Sequence, residues 1–231
     1  MRIIVNHLTR MQPGYICVAG VDVSSGQHIR PVLRGRLTVD LLARNGGPFD
    51  IADLVDLGTV EYCGHAPETE DYYFDQRNAR CVRCVSPTHF WGLLQRVARN
   101  SLVQIFGPAL KSFRRGCVVD LNAGEASLGC LIPAAPPRLY VSDYGKIRAV
   151  ITDGTFSVDL SVTDLRLCDT DQRTPKFALV ERIGAQIRSG SSVILSIGLA
   201  RPWRHPDDTF ERHWLQVNNI HLEDNAVWML Q

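Results

Sequence analysis

The chain has 231 residues, of which 45% are apolar and 21% charged, with a net charge of +1 at neutral pH. This is the composition of an ordinary globular protein, long enough for one large domain or two small ones, and no apolar run approaches the roughly 18–20 residues of a membrane span. The opening MRIIVNHLTR has no charged-then-apolar-then-small leader pattern, and seven irregularly spaced cysteines suit reduced thiols better than a disulfide framework, so a cytoplasmic protein is expected.

The first third alternates like strands. RIIVNHL, YICVAGVDV and HIRPVL are β-branched and apolar runs separated by the turn-rich TRMQPG and SSGQ. One or two helical turns are expected at Val39–Arg44, ended by Gly46-Gly47, and IADLVDLGTVEYC then reads as a half-buried strand. Ser86 followed by Pro87 opens a helix that runs through Phe90, Leu93, Leu94, Val97 and Ser101 and stops at Gly107-Pro108. The proline-rich LIPAAPPR marks a linker. Beyond it RLYVSDYG, KIRAVITDG and TFSVDLSVTDLRL read as three strands, with Asp153-Gly154 as a hairpin turn. A helix follows, capped by Thr174, opened by Pro175, striped by Leu179, Ile183 and Ile187, and ended by Gly190. SVILSIGLA and HWLQVNNIHL are the last two strands.

Three strands, a helix and two strands is the order of an OB-fold, a small five-stranded Greek-key barrel. The first half follows a cruder version of the same plan. The expected fold is therefore mainly β with a few helices, in two OB-like small β-barrels. An N-terminal barrel takes residues 1–130 with a basic helical extension at about 86–115, a linker takes 131–137, and a C-terminal barrel takes 138–231. HLTRM and GLARP each place Leu-x-Arg after an apolar strand, a faint echo between the halves.

Charge is segregated along the chain. Asp50, Asp53, Asp56, Glu61, Glu68, Glu70, Asp71 and Asp75 fall in a stretch without Lys or Arg, and Arg77, Arg80, Arg83, Arg96, Arg99, Lys111, Arg114 and Arg115 follow without an acid. The two stretches either neutralise each other or the basic one tracks phosphates. Lysine occurs only at 111, 146 and 176, so nearly all positive charge is guanidinium, which suits bidentate phosphate contact and stacking on bases.

Catalytic and metal signatures are weak. Cys63, His65, Cys81 and Cys84 could form a four-ligand zinc set, but a second CxxC is missing, and the zinc-deaminase pattern fails because Ala66-Pro67 follows His65. Phosphate-loop, dinucleotide and nucleophile-elbow motifs are absent. His65, Glu68, Glu70, Asp71 and Asp75 could serve a metal-dependent nuclease, although such a run is usually solvated. No metal, cofactor or catalytic residue is expected.

The densest stretch is GLARPWRHPDDTFERHWLQVNNIHL. An acid–base site would use His205, His213 or His221 with Asp207, Asp208 or Glu211. Alternatively, alternation puts Trp214, Gln216 and Asn218 on one face and Leu215 and Val217 on the other, until the Asn218-Asn219 pair disrupts it. An aromatic ring and amides on one face suit an unpaired base, unless Trp214 instead plugs the barrel. The expected nucleic-acid contacts are Arg10, Arg30, Arg96, Arg99, Arg114, Arg115, Arg201, Arg204, Trp203, Trp214, Gln216, Asn218 and Asn219.

TRMQPGYICVAGVD with HIRPV near the start, and GLARPW with HWLQVNNIHL near the end, resemble a bacterial family of dual-OB-domain proteins across essentially the whole chain. The resemblance implies two OB barrels and an association with genome defence, and it carries over no catalytic residue. A non-enzymatic protein binding single-stranded DNA or RNA is expected, without a membrane. The alternatives are an adaptor module recognising a small nucleotide or a partner effector protein and, third, a nuclease.

Overall fold

The computed structural model describes residues 1–206, 208–226 and 228. Three β-sheets carry the fold, and the expected mainly-β character holds. In the first half β1 (Arg2–Arg10), β2 (Tyr15–Asp22) and β3 (His28–Val32) form a meander, and the short β4 (Leu37–Thr38) adds to β2. Two 3₁₀ turns, Val39–Leu41 and Ala43–Asn45, fill the expected helical stretch, and Gly46 ends it in the left-handed region. Then come β5 (Asp53–Asp56), β6 (Val60–Tyr62), β7 (Asp71–Phe74) and β8 (Arg80–Cys84), giving the sheet order β6-β7-β3-β2-β1-β5-β8. Every pairing in it is antiparallel except β3 with β7.

The helix expected from Ser86 to Gly107 is two helices. α1 (Pro87–Val97) is capped by Ser86, whose hydroxyl accepts from His89 N. It stops because Ala98–Arg99, forming β9, pairs in parallel with β12 (Leu128–Leu131). α2 (Leu102–Phe106) then starts afresh with Ser101 as its cap. A sheet pairing more than thirty residues away thus interrupts a locally helical pattern.

The second half contains β10 (Lys111–Phe113), β11 (Gly116–Asp120), β13 (Arg138–Val141), β14 (Ile147–Thr152), β15 (Ser157–Ser161), α3 (Phe177–Arg188), β16 (Val193–Leu199) and β17 (Arg212–Leu222). β13, β14 and β15 make one sheet, and β10-β11-β17-β16-β12-β9 make another. The expected order of three strands, helix and two strands is present. A parallel bridge from Val162 to Val217 brings the end of β15 against β17. The N–H of Thr163 donates to Val217 O at 2.8 Å there. Both halves therefore curl an antiparallel meander and bring distant segments together by parallel pairing, consistent with two OB-like domains. The third strand ends at Ser161 rather than running to Leu167, because Asp164 caps a 3₁₀ turn at Leu165–Leu167. α3 starts at Phe177, later than a Thr174 cap would place it, since Thr174 is tied to Asp171.

Packing divides the chain elsewhere than at 131–137. Leu102, Phe106, Val119 and Leu131 lie in one core with Leu139, Ile183 and Leu222, while residues from Ile3 to Leu94 supply most of the other. β10, β11 and β12 also belong to the second sheet, so the proline-rich segment lies inside the second half. The last residues of the expected C-terminal barrel, 229–231, lie outside the described residues. Among the described residues, no helix is long and apolar enough to cross a membrane.

The two halves meet along β1, β16 and β17 through buried polar groups. Asn219 Oδ1 accepts from Leu8 N at 2.7 Å and its Nδ2 donates to Leu8 O at 3.1 Å. Ser196 Oγ donates to Asn6 O at 2.8 Å, and His221 Nε2 lies 3.2 Å from the same carbonyl. A side-chain amide thus completes the backbone pairing of a strand in the opposite half.

Candidate functional site

The β16–β17 hairpin, residues 193–222, organises the site. Its strands pair in register until Ser196 faces Asn219 and Ile197 faces Val217, which leaves Asn218 as the extra residue of a bulge. The bulge is why the alternation breaks at the asparagines. Before it, Trp214 and Gln216 are half-buried and point away from the core, while Leu215 and Val217 are buried. The connecting loop is clipped at both ends by arginines. Arg201 binds Glu68 at 3.1 Å and Asp71 at 2.7 Å, and Arg212 binds Asp208 at 2.8 Å and also Asp120.

A groove of about 570 Å³ opens between this loop, the β10–β11 hairpin and the outer face of β14–β15. Its aromatic side is a cluster. Trp203, His205 and Trp214 have mutual ring-centroid separations of 5.5–5.6 Å, and the Phe113 ring stands edge-on to Trp214 at 5.5 Å. Trp214 is in the middle of the cluster, with its indole N–H donating to Trp203 O at 3.3 Å. Trp203 is on the outside, 44% exposed.

The polar side of the groove holds Arg114, Arg115, Arg148, Asp159 and Ser161. Arg114 and Arg115 are the two-residue turn closed by the Phe113–Gly116 pair. Arg114 adopts φ +56°, a conformation that glycine or asparagine would take at less cost. Arg148 is fixed by Asp159 at 3.1 Å and by Ser161 at 3.1 Å.

A second groove, of about 480 Å³, runs on from the first, and Ala200 and Gln216 line both. Arg10, Arg36 and Arg201 reach it, together with the apolar Ile16, Val32 and Leu37. The two Leu-x-Arg strand ends, Arg10 and Arg201, therefore face one cleft.

The structure brings Arg114, Arg115, Trp203, Trp214 and Gln216 together around the first groove and Arg10 and Arg201 around the second, with Arg204 exposed on the loop beside Trp203. Other expected contacts are placed differently. Arg30 lines the second groove but is buried, with its Nε bound to Asp71 at 2.5 Å. Asn219 is fully buried with both amide atoms on Leu8, and Asn218 is buried with Nδ2 3.0 Å from His7 Nδ1. Asn219 therefore serves the seam between the halves, whereas Asn218 reaches the seam and also lines the second groove beside Gln216. Arg96 and Arg99 are exposed but line a separate cleft with Tyr62, Glu70 and His28. Phe113 and Arg148 carry no signal in the sequence, because only strand order shows that they share a groove with Trp214.

Among the described residues the acid–base candidates do not converge. His213 is buried against Ala200 O at 3.1 Å, His221 is fully buried in the seam, and His205 is in the aromatic cluster. Asp207 lies outside the described residues. The acidic run is not a solvated loop. Glu68, Glu70 and Asp71 are buried, and Glu70 accepts from Ser127 N at 2.8 Å and Leu128 N at 3.0 Å. Burial still pushes the Glu70 carboxyl above its ordinary range. The acids are neutralised mainly from outside the 77–115 basic stretch, by Arg2, Arg30 and Arg201 as well as by Arg77 and Arg80. Cys81 and Cys84 are exposed residues of β8, and partial desolvation of its sulfur with the nearby Asp53 pushes the Cys81 thiol up to about 11.

The model of the dual OB-containing domain matches residues 1–220, and the chain belongs to that family. No curated protein and no solved structure matches the chain.

Proposed function

We propose that the protein binds single-stranded nucleic acid along the two joined grooves and does not catalyse a reaction on it. The observation that carries this reading is the aromatic cluster of Trp203, His205 and Trp214 facing Arg114, Arg115 and Arg148 across one groove. In OB barrels the face of the second and third strands and the loop between the fourth and fifth bind oligonucleotides and oligosaccharides. Here β14 and β15 are the second and third strands of the C-terminal barrel, and the loop at 200–211 joins its last two. The exposed Trp203 ring offers a platform on which a base stacks whatever its identity, and the Arg114-Arg115 turn supplies cations for the backbone. A non-catalytic role is the reading favoured by Glu68, Glu70 and Asp71 each holding an internal partner. Recognition of exposed single strands also suits the genome-defence setting implied by the family resemblance.

A second reading, a module for one small nucleotide, is favoured by the size of the first groove. Its 570 Å³ lies within the roughly 300–1,000 Å³ of small-molecule pockets. Anisotropy titrations of labelled oligo-dT and oligo-U of increasing length, at two salt concentrations, separate the two. The strand-binding reading expects affinity that rises with length until both grooves are filled and that falls with salt. Length-independent binding beyond one nucleotide would favour the small-ligand reading, and absence of binding to every length would refute both.

A further inference from the structure

The seam between the halves holds a cluster that the grooves do not use. His7 on β1, His28 on β3 and Cys130 on β12 each bring one donor atom within 4.8 Å of the other two. We propose that these three side chains form a transition-metal site, with zinc as its ion, joining the two barrels. Two imidazoles and one thiolate are a borderline-soft donor set of the kind that zinc takes up.

The geometry is already close to a coordination shell. Cys130 Sγ lies 3.7 Å from His28 Nε2. Zn–S of about 2.3 Å and Zn–N of about 2.0–2.1 Å, set at a tetrahedral angle, put nitrogen and sulfur about 3.6 Å apart. The Asn6 amide nitrogen sits 3.2 Å from that same Nε2 and 3.2 Å from the same sulfur, near the fourth corner. It also faces Ser196 Oγ at 3.3 Å, so two hydrogens meet three groups while Asn6 Oδ1, buried, has no partner. A half-turn of the amide places that oxygen where it would close the tetrahedron.

His7 shows the same mismatch. It is buried, its Nε2 has no partner, and its Nδ1 faces the Asn218 amide nitrogen at 3.0 Å while Asn218 Oδ1 has none. With the Asn218 amide turned, Nδ1–H donates to Oδ1 and Nε2 presents a lone pair. That is the outer-shell arrangement that orients a ligating histidine. His28 is only half-buried and lines the cleft of about 760 Å³ that holds Arg96 and Arg99, which gives the ion a way in.

The test uses the full chain, stripped with a chelator and titrated with Co²⁺ and then Zn²⁺. One equivalent of Co²⁺ should produce a thiolate-to-cobalt charge-transfer band, which Zn²⁺ should abolish, and saturation with Zn²⁺ should raise the melting temperature. Cys130→Ser and His28→Ala should each lose the band and the thermal shift, and their circular dichroism should stay that of the stripped wild type. Cys81→Ser should keep both responses. Absence of a band and of a thermal shift in the wild type would overturn the proposal. So would responses that survive Cys130→Ser or vanish in Cys81→Ser, because the ion would then sit elsewhere. If His28→Ala fails to fold, the near-isosteric Cys130→Ser alone decides.

Discussion

Asn219 gives the sharpest test of how the two halves are held. The residue is fully buried, and its amide accepts from Leu8 N at 2.7 Å and donates to Leu8 O at 3.1 Å. Truncation to alanine removes both partners at once and leaves a backbone N–H and a carbonyl orphaned. An unsatisfied buried polar group costs about 1–3 kcal/mol, so the two together cost roughly 4 kcal/mol. Against a typical total of about 5–15 kcal/mol, that is a large fraction of the stability. Urea unfolding of Asn219→Ala should therefore show a much lower midpoint with little change in slope. A loss of less than about 1 kcal/mol would mean that water reaches Leu8 and that the halves do not close over it.

Other perturbations address the site and the seam. Arg201→Ala should mainly destabilise the fold, by about 2 kcal/mol, because it removes a cation from the buried Glu68 and Asp71; unchanged melting would refute this. Arg115→Ala should leave melting alone and flatten the salt dependence of oligonucleotide binding by about 0.7 in log–log slope, as for one phosphate lost; an unchanged slope would remove Arg115 from the track. His221 is held well below its ordinary pKa by burial and by Arg166, so it stays neutral in the folded chain. Its contribution is complete above about pH 6.5 and is lost as pH falls below that value, by about 1.4 kcal/mol per unit, until the folded group itself protonates. His221→Gln should flatten the acid side of the stability profile, and a profile identical to wild type would contradict this assignment.

Much of the fold was legible because local chemistry and tertiary structure agree. Apolar runs such as RIIVNHL and YICVAGVDV between turn residues are strands, and Ser86-Pro87 does start a helix. Legibility failed where distant pairing overrode local pattern, as at Ala98–Arg99, which a strand thirty residues on pulls out of the helix. The site was half legible for a related reason. Trp203 and Trp214 stand out by type, and alternation puts Trp214 and Gln216 on one face. Asn218 and Asn219 share that stretch, yet the bulge gives Asn219 wholly to the other half and leaves Asn218 buried at the edge of the second groove. Arg30 looks like any strand arginine until Asp71 arrives beside it from the parallel strand.

The claim that the first groove binds a strand is tested most directly by comparing Trp203→Ala with Trp214→Ala for oligo-dT affinity and melting temperature in one buffer. Trp203 is exposed on the outer side of the cluster, so its removal should weaken binding about 5- to 150-fold, equivalent to about 1–3 kcal/mol for one stacked base, with little change in melting. Trp214, which packs against Phe113, Trp203 and His205, should lose both affinity and stability. Wild-type affinity in a well-folded Trp203→Ala protein would contradict the account.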